Sequence, residues 1–265
     1  MLKPDLPTRV AYVAFAGTGE PVLSVAGKLG LPASTAPRGA VLICHGSDGV
    51  DGRGAFHAEA LNAAGLATLE IDMWAARGSG RGAAARPSSP LDTLGDAFGA
   101  LAFLAAQPEI DAARIGVMGF SWGGVVTLVS SRRRHVERFS QGGLRFAAHA
   151  AFYPVCWAYE HVPALSLEGR TGSPILIQTG EADTYDAPDS GARLVEHLRA
   201  VGEGEVTGYA YANATHGFDR DLPAQVINDP FSHQGKGGPV TMTFHPEAAA
   251  LARARCLAFF LSNLS

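Results

Sequence analysis

Residues 119–123 read Gly119-Phe120-Ser121-Trp122-Gly123 and follow directly on the apolar run Ile115-Gly116-Val117-Met118. A buried strand entering, a serine at a sharp turn and a helix leaving is the setting in which G-x-S-x-G carries a mechanism. The turn holds the serine hydroxyl out at the end of a sheet. Glycines on either side leave room where the turn presses on the neighbouring strand and helix. Gly124 adds a third small residue at the helix start. In a chain with 32 glycines the five-residue pattern also arises by chance, so its meaning depends on its surroundings.

Outward from this turn, strands and helices alternate. Upstream, 9–15 alternates in hydrophobicity and reads as a strand, 22–29 as a second, and Gly17-Thr18-Gly19 as the turn between them. The apolar run 40–44 has the pattern of a strand covered on both faces and ends in the polar loop His45-Gly46-Ser47-Asp48-Gly49. A helix over 56–64 closes at Gly65, and a strand over 66–71 ends at Asp72. Residues 75–90 read as loop. Leu94, Phe98, Leu101 and Leu104 place a helix over 91–107. Strand 114–118, the serine turn and a helix over 123–131 follow. Downstream, 146–153, 174–179 and 205–212 read as strands, and 190–201 and 246–264 as helices. The stretch 219–243, rich in Gly and Pro, reads as loop.

This order predicts an α/β fold: a mostly parallel central sheet with helices on both faces. The first two strands have no helix between them and form an antiparallel N-terminal edge. No repeat or linker interrupts the pattern, so a single domain over 1–265 is expected.

Bulk composition narrows the function classes. Hydrophobic residues make up 47% and charged residues 17% of the 265, the balance of a globular chain. A net charge of −4 gives no reason to expect nucleic acid or an anionic membrane as partner. Cys44, Cys156 and Cys256 are odd in number and widely spaced, which fits neither a disulfide framework nor a zinc site. The N-terminus lacks the plan of a signal peptide and no apolar run would span a bilayer, so a cytoplasmic location is expected. No metal or organic cofactor is implied, because the histidines show no ligand spacing.

The chemistry follows from what a serine needs. Its hydroxyl is a weak nucleophile until a base takes its proton, and the base needs an orienting acid. In this arrangement the partners come in the order serine, acid, histidine, each on a loop after a strand. Ser121, Asp183 in Gly180-Glu181-Ala182-Asp183, and His216 before Gly217-Phe218 occupy such places. Asp186 and Asp189 remain alternatives for the acid, and Glu181 is expected to point away. Among nine histidines, His45 precedes the serine and is read as shaping a loop. His149 is read as a satisfied core residue, and His233 and His245 as solvated. A developing oxyanion needs donors worth about 3–4 kcal/mol each. The backbone N–H of Trp122 is one, and that of Ser47, with Gly46 as alternative, is the other. Trp74, Trp122, Phe152, Tyr153, Trp157 and the late loop are expected to shape the pocket.

With these pieces assembled, the chain resembles the dienelactone hydrolase family within the α/β-hydrolase fold. The matching segments are Val41-Leu42-Ile43-Cys44-His45-Gly46, Gly119-Phe120-Ser121-Trp122-Gly123-Gly124, Gly180-Glu181-Ala182-Asp183 and His216-Gly217-Phe218. A terminal Ala-rich helix running into Phe259-Phe260 is similar to the family as well, and the resemblance covers about 35–264. Dienelactone hydrolase itself uses a cysteine followed by a small apolar residue, whereas here Ser121 is followed by Trp122. The resemblance therefore implies the serine branch, with hydrolysis of small carboxylic esters or lactones. The stretch Asp72-Met73-Trp74-Ala75-Ala76-Arg77-Gly78 resembles an Asp-aromatic-x-x-Arg-Gly segment of that branch. From it, Arg77 or Arg81, beside Trp74, is expected to hold a substrate carboxylate. An oligopeptidase-like or acyl-transfer reaction on the same residues, or a non-catalytic binding protein, are the competing readings. The partner expected is a small molecule, and oligomeric state is left open.

Overall fold

The structure is a computed structural model that describes residues 7–79, 82 and 85–265. Eight strands form one sheet: β1 (Thr8–Ala16), β2 (Ser24–Pro32), β3 (Arg38–Cys44), β4 (Ala67–Asp72), β5 (Ile110–Phe120), β6 (His149–Phe152), β7 (Ile175–Gly180) and β8 (Val206–Tyr211). Their order is β1-β2-β4-β3-β5-β6-β7-β8. From β4 through β8 all pairs are parallel, while β1–β2 and β2–β4 are antiparallel. The antiparallel N-terminal edge thus lies where the missing helix predicts it.

The helices are α1 (Gly52–Ala63), α2 (Leu94–Ala105), α3 (Trp122–Val129), α4 (Arg133–Phe139), α5 (Ala158–His161), α6 (Ser190–Val201), α7 (Ser232–Gly235), a single turn in which His233 and Gln234 are left-handed, and α8 (Pro246–Leu264). Successive strand residues point to opposite faces, and this splits the core in two. Ala40, Leu42 and Cys44 of β3, with Ile115 and Val117 of β5, pack with α2, α3 and α6. Val41 and Ile43, with Met118 and Phe120, pack with Leu61 of α1 and Ala252, Cys256 and Phe260 of α8. All three cysteines are buried and free. Among the described residues no helix is long and apolar enough to cross a membrane.

The 219–243 region departs from its reading as loop. It contains a second, two-stranded antiparallel sheet, β9 (Gln225–Asp229) with β10 (Gly238–Met242). His149 is buried as expected but is not satisfied: among the described residues neither ring nitrogen has a hydrogen-bond partner, and burial lowers its pKa to about 3, so the ring is neutral. His245 caps α8, its ring accepting from Ala248 N–H at 3.3 Å. His233 bonds the Pro239 carbonyl at 2.9 Å.

Glu70 of β4 lies under α1, so close to Gly54 that a Cβ there would overlap its carboxylate. Burial, then the nearby Asp51, raise its pKa from 4.5 to about 7. The native state thus keeps a proton that the unfolded chain releases, and this contribution to stability is lost as pH rises from about 4.5 through 7. Glu70→Gln is expected to match wild type below pH 4.5 and to exceed it by about 1–2 kcal/mol at pH 8. Urea midpoints at the two pH values check this, and equal differences at both would contradict it.

Candidate active site

β5 runs into Ser121, which adopts φ 51° and ψ −109° before α3 begins at Trp122. A positive φ at a non-glycine residue costs about 1–3 kcal/mol and persists only where its surroundings fix it. Here they do. Ser121 N–H donates to the Phe152 carbonyl of β6 (3.0 Å), and Gly123 N–H donates to the His45 carbonyl at the end of β3 (3.1 Å). The elbow is thereby tied to the strands on both sides of β5.

Asp183 and His216 sit on the loops after β7 and β8. Those loops are laced together: Glu181 N–H donates to the Tyr211 carbonyl and Ala182 N–H to that of Ala214, both at 3.0 Å. Gly180 permits the approach, because a Cβ there would stand 2.2 Å from the Ala214 oxygen. Gly217, at φ 68°, then turns the chain so that Phe218 enters the core. His216 Nδ1 meets Asp183 Oδ2 at 2.7 Å, and His216 Nε2 meets Ser121 Oγ at 2.8 Å. The second oxygen of Asp183 accepts from Tyr185 N–H at 2.8 Å. The imidazole is held between two rings, with Tyr185 at 4.1 Å and Tyr153 at 4.8 Å between centroids. With the carboxylate on Nδ1, the neutral ring carries its proton there and leaves Nε2 as acceptor toward the hydroxyl.

The alternative acids lie elsewhere. Asp186 accepts from the N–H groups of Cys156 (2.8 Å) and Trp157 (2.7 Å). Burial, then Asp183, raise its pKa to about 6. It pins a segment in which Tyr153 and Val155 both have positive φ, 37° and 57°. Asp189 is exposed and pairs with Arg193 at 3.0 Å. Glu181 is exposed, as expected.

The loop after β3 faces the elbow. Gly46 closes a bridge with Gly49, its carbonyl accepting from Gly49 N–H at 3.0 Å. Among the described residues, the N–H groups of Ser47 and Trp122 have no backbone or side-chain acceptor. His45 shapes this loop: Nδ1 donates to the Gly46 carbonyl (2.7 Å) while Nε2 accepts from Met73 N–H (2.9 Å). Burial lowers its pKa to about 4, which keeps that tautomer neutral.

A cavity of about 220 Å³ opens beside Ser121 and Ser47. Its apolar wall includes Trp122, Val125, Val155, Trp157, Leu165 and Phe231. Trp122 and Trp157 therefore shape the pocket as expected, and the late region contributes Phe231. Trp74, Phe152 and Tyr153 do not line it. Trp74 is 4% exposed and braces the loop from behind, donating from its indole to the Ser47 carbonyl at 3.1 Å. Phe152 and Tyr153 are core residues.

Arg77 also differs from its expected role. Its guanidinium is spent on Asp96 (2.5 Å), the Met73 carbonyl (2.9 Å) and the Asp92 carbonyl (2.8 Å). It ties the segment after β4 to α2 and offers no fork to a substrate. Arg81 lies outside the described residues. The arginine at the cavity is Arg86, not singled out by the sequence. Its Nη1 donates to Ser47 Oγ and to Asp229 Oδ2, both at 2.8 Å, and its Nη2 to Asp229 Oδ1 at 2.9 Å. A buried network behind His216 was equally unmarked. Arg53 binds Asp51 and donates to the Tyr153 hydroxyl (3.2 Å), which in turn donates to Asp219 (2.5 Å). Among the described residues no three His, Cys, Asp or Glu side chains are grouped to hold a metal.

The parallel sheet, its covering helices and the strand–serine–helix turn define an α/β-hydrolase fold. The sequence pattern of the dienelactone hydrolase family matches residues 25–264, and the chain belongs to that family of hydrolases. No curated protein matches the chain. Solved structures are similar in fold. A dienelactone hydrolase-like promiscuous phosphotriesterase from metagenomic libraries is 19% identical, with 97% of this chain and 99% of that one covered at a TM-score of 0.69. Esterase 2 of Thermogutta terrifontis, phosphorylated by paraoxon, is 16% identical over 97% and 94% at 0.65. A dienelactone hydrolase from Anabaena variabilis is 18% identical over 97% and 99% at 0.58.

Proposed function

We propose that this hydrolase cleaves small carboxylic esters or lactones through an acyl-enzyme on Ser121. The observation that carries the reading is the unbroken chain Asp183–His216–Ser121, with both bonds under 3 Å, at the mouth of an apolar cavity. Ser121 Oγ attacks the carbonyl carbon and its proton passes to His216 Nε2. Asp183 keeps the ring oriented and stabilises the imidazolium. The tetrahedral oxyanion takes hydrogen bonds from Trp122 N–H and Ser47 N–H, the two donors left free at the elbow. As the intermediate collapses, His216 returns the proton to the leaving oxygen. An alcohol departs, or the ring opens in a lactone. Water then repeats the sequence: it loses a proton to His216, attacks the acyl carbon, and the proton goes back to Ser121 as the acid leaves. No cofactor enters these steps.

A fluorophosphonate tests the nucleophile. It is expected to add one phosphonyl group per chain, on the peptide that contains Ser121, with parallel loss of p-nitrophenyl acetate hydrolysis. An intact-mass spectrum without an adduct, or an adduct on another residue, would overturn the reading.

A further inference from the structure

The cavity beside Ser121 has one cation on its described wall, and that cation already has its anion. Arg86 and Asp229 meet through two hydrogen bonds, and their side chains are 8% and 1% exposed. Both hydrogens of Nη1 are used, one on Asp229 and one on Ser47 Oγ. The guanidinium also lies over two aromatic rings, Trp122 at 5.5 Å and Phe231 at 5.3 Å. Asp229 is fixed in turn, since its Oδ1 accepts Phe231 N–H at 2.9 Å. β9 thus carries a carboxylate into the place beside Arg86 that a substrate carboxylate would otherwise take.

A buried ion pair whose members satisfy each other adds little net charge to its surroundings, whereas removing one member leaves the other uncompensated. A substrate carboxylate entering this cavity would lose its water and find no free cation among the described residues. A neutral apolar group would meet Val125, Val155, Leu165 and the indole of Trp122.

We propose that Asp229, by neutralising Arg86 in the cavity wall, makes the site selective for uncharged apolar ester substituents and excludes those bearing a carboxylate. Asp229 is on this account the specificity-determining residue. The inference rests on the acyl-enzyme reading above, and it deepens that reading by naming the substrate class.

The test compares matched esters that carry the charge on either side of the scissile bond. One pair is p-nitrophenyl butyrate and p-nitrophenyl hemisuccinate. The other is methyl 4-acetoxybenzoate and 4-acetoxybenzoate. Active-site concentration in each variant is counted by titration with a neutral fluorophosphonate, so a poorly folded fraction drops out of kcat/KM. Wild type is expected to prefer the neutral member by about 100-fold or more in at least one pair, the penalty for an unpaired charge in an apolar site. Asp229→Asn keeps the cap on Phe231 and frees Arg86. It is expected to shrink that preference at least tenfold by a gain on the charged ester. The double variant Arg86→Gln with Asp229→Asn restores a neutral wall, and its preference is expected within about threefold of wild type.

Hydrolysis of both members at equal rates by wild type would overturn the inference. So would an unchanged preference in Asp229→Asn. If that variant does not fold, a double variant that loses the preference overturns it as well. Absence of any fluorophosphonate adduct on Ser121 would instead remove the acyl-enzyme reading, and this inference with it.

Discussion

Ser121→Ala is expected to lower kcat/KM on a neutral ester by about 10⁶-fold, to the rate the remaining groups support. The expectation follows from how the residues are linked. His216 Nε2 stands 2.8 Å from the hydroxyl and has no other proton to take from the enzyme. Without the hydroxyl the covalent route closes, and only water, positioned by the same histidine and oxyanion donors, remains. Asp183→Asn tests the next link. An amide in place of the carboxylate can present N–H to Nδ1, which places the ring proton on Nε2, where it blocks acceptance from Ser121. A loss of about 10⁴-fold is expected. Because the residues act as a unit, the double variant Ser121→Ala with Asp183→Asn should be about as inactive as Ser121→Ala alone. Rates measured with active protein counted by folded mass check all three. Multiplicative losses in the double variant would separate the two residues, and Ser121→Ala at wild-type rate would remove the serine from the mechanism.

The three residues of that chain could be read from the sequence because each is marked locally. A strand precedes every one, and small residues or turn residues surround it. Gly180 and Gly217 look like mere loop residues, yet one lets two loops touch and the other turns Phe218 into the core. The sheet was equally legible, since 40–44 of β3 and 115–118 of β5 are apolar runs and their alternate residues fill two separate cores. What failed was the pocket wall. Arg77 and Arg86 lie in one polar segment, and nothing near them in sequence says which faces the cavity. The answer depends on Asp96 for the first and on Asp229, 143 residues away, for the second. β9 and β10 escaped for a related reason. They are short strands among glycines and prolines, Val226 is 64% exposed, and the buried apolar face of the pair is small, Val240 and Met242 packed with Tyr185. A period stands out only over several repeats, and strands this short supply too few. Trp74 shows the converse. A tryptophan near the site reads as a pocket residue, but its indole N–H is spent on Ser47 and its ring packs edge-on to His45 and Trp122.

Gly123→Ala is the other substitution expected to have a large effect, and it acts through backbone rather than chemistry. A Cβ at Gly123 would lie 2.1 Å from the Cys44 carbonyl oxygen and 2.7 Å from that of His45. Neither is the end of a flexible side chain. Cys44 closes β3 between two neighbouring strands, and His45 begins the loop that carries Ser47. Relief requires α3 to move off the sheet or the Ser47 loop to move away from the elbow. The first breaks the packing of Val125 and Val126, the second displaces the Ser47 N–H proposed as an oxyanion donor. The stability cost is expected at about 3 kcal/mol or more, at the upper end for an added methyl in a packed interior. The part that still folds is expected to lose more than tenfold in kcat/KM, because Gly123 N–H and the His45 carbonyl, now 3.1 Å apart, cannot keep their bond. Gly52→Ala is the matched control: at the first turn of α1 a Cβ meets nothing within 4 Å. It is expected to stabilise by up to about 1 kcal/mol and to leave kcat/KM unaltered. Denaturant midpoints and titrated active-site rates for the two alanine variants separate a crowded elbow from a generic response to glycine replacement, and equal behaviour would contradict the tight strand–turn–helix contact on which Ser121 depends.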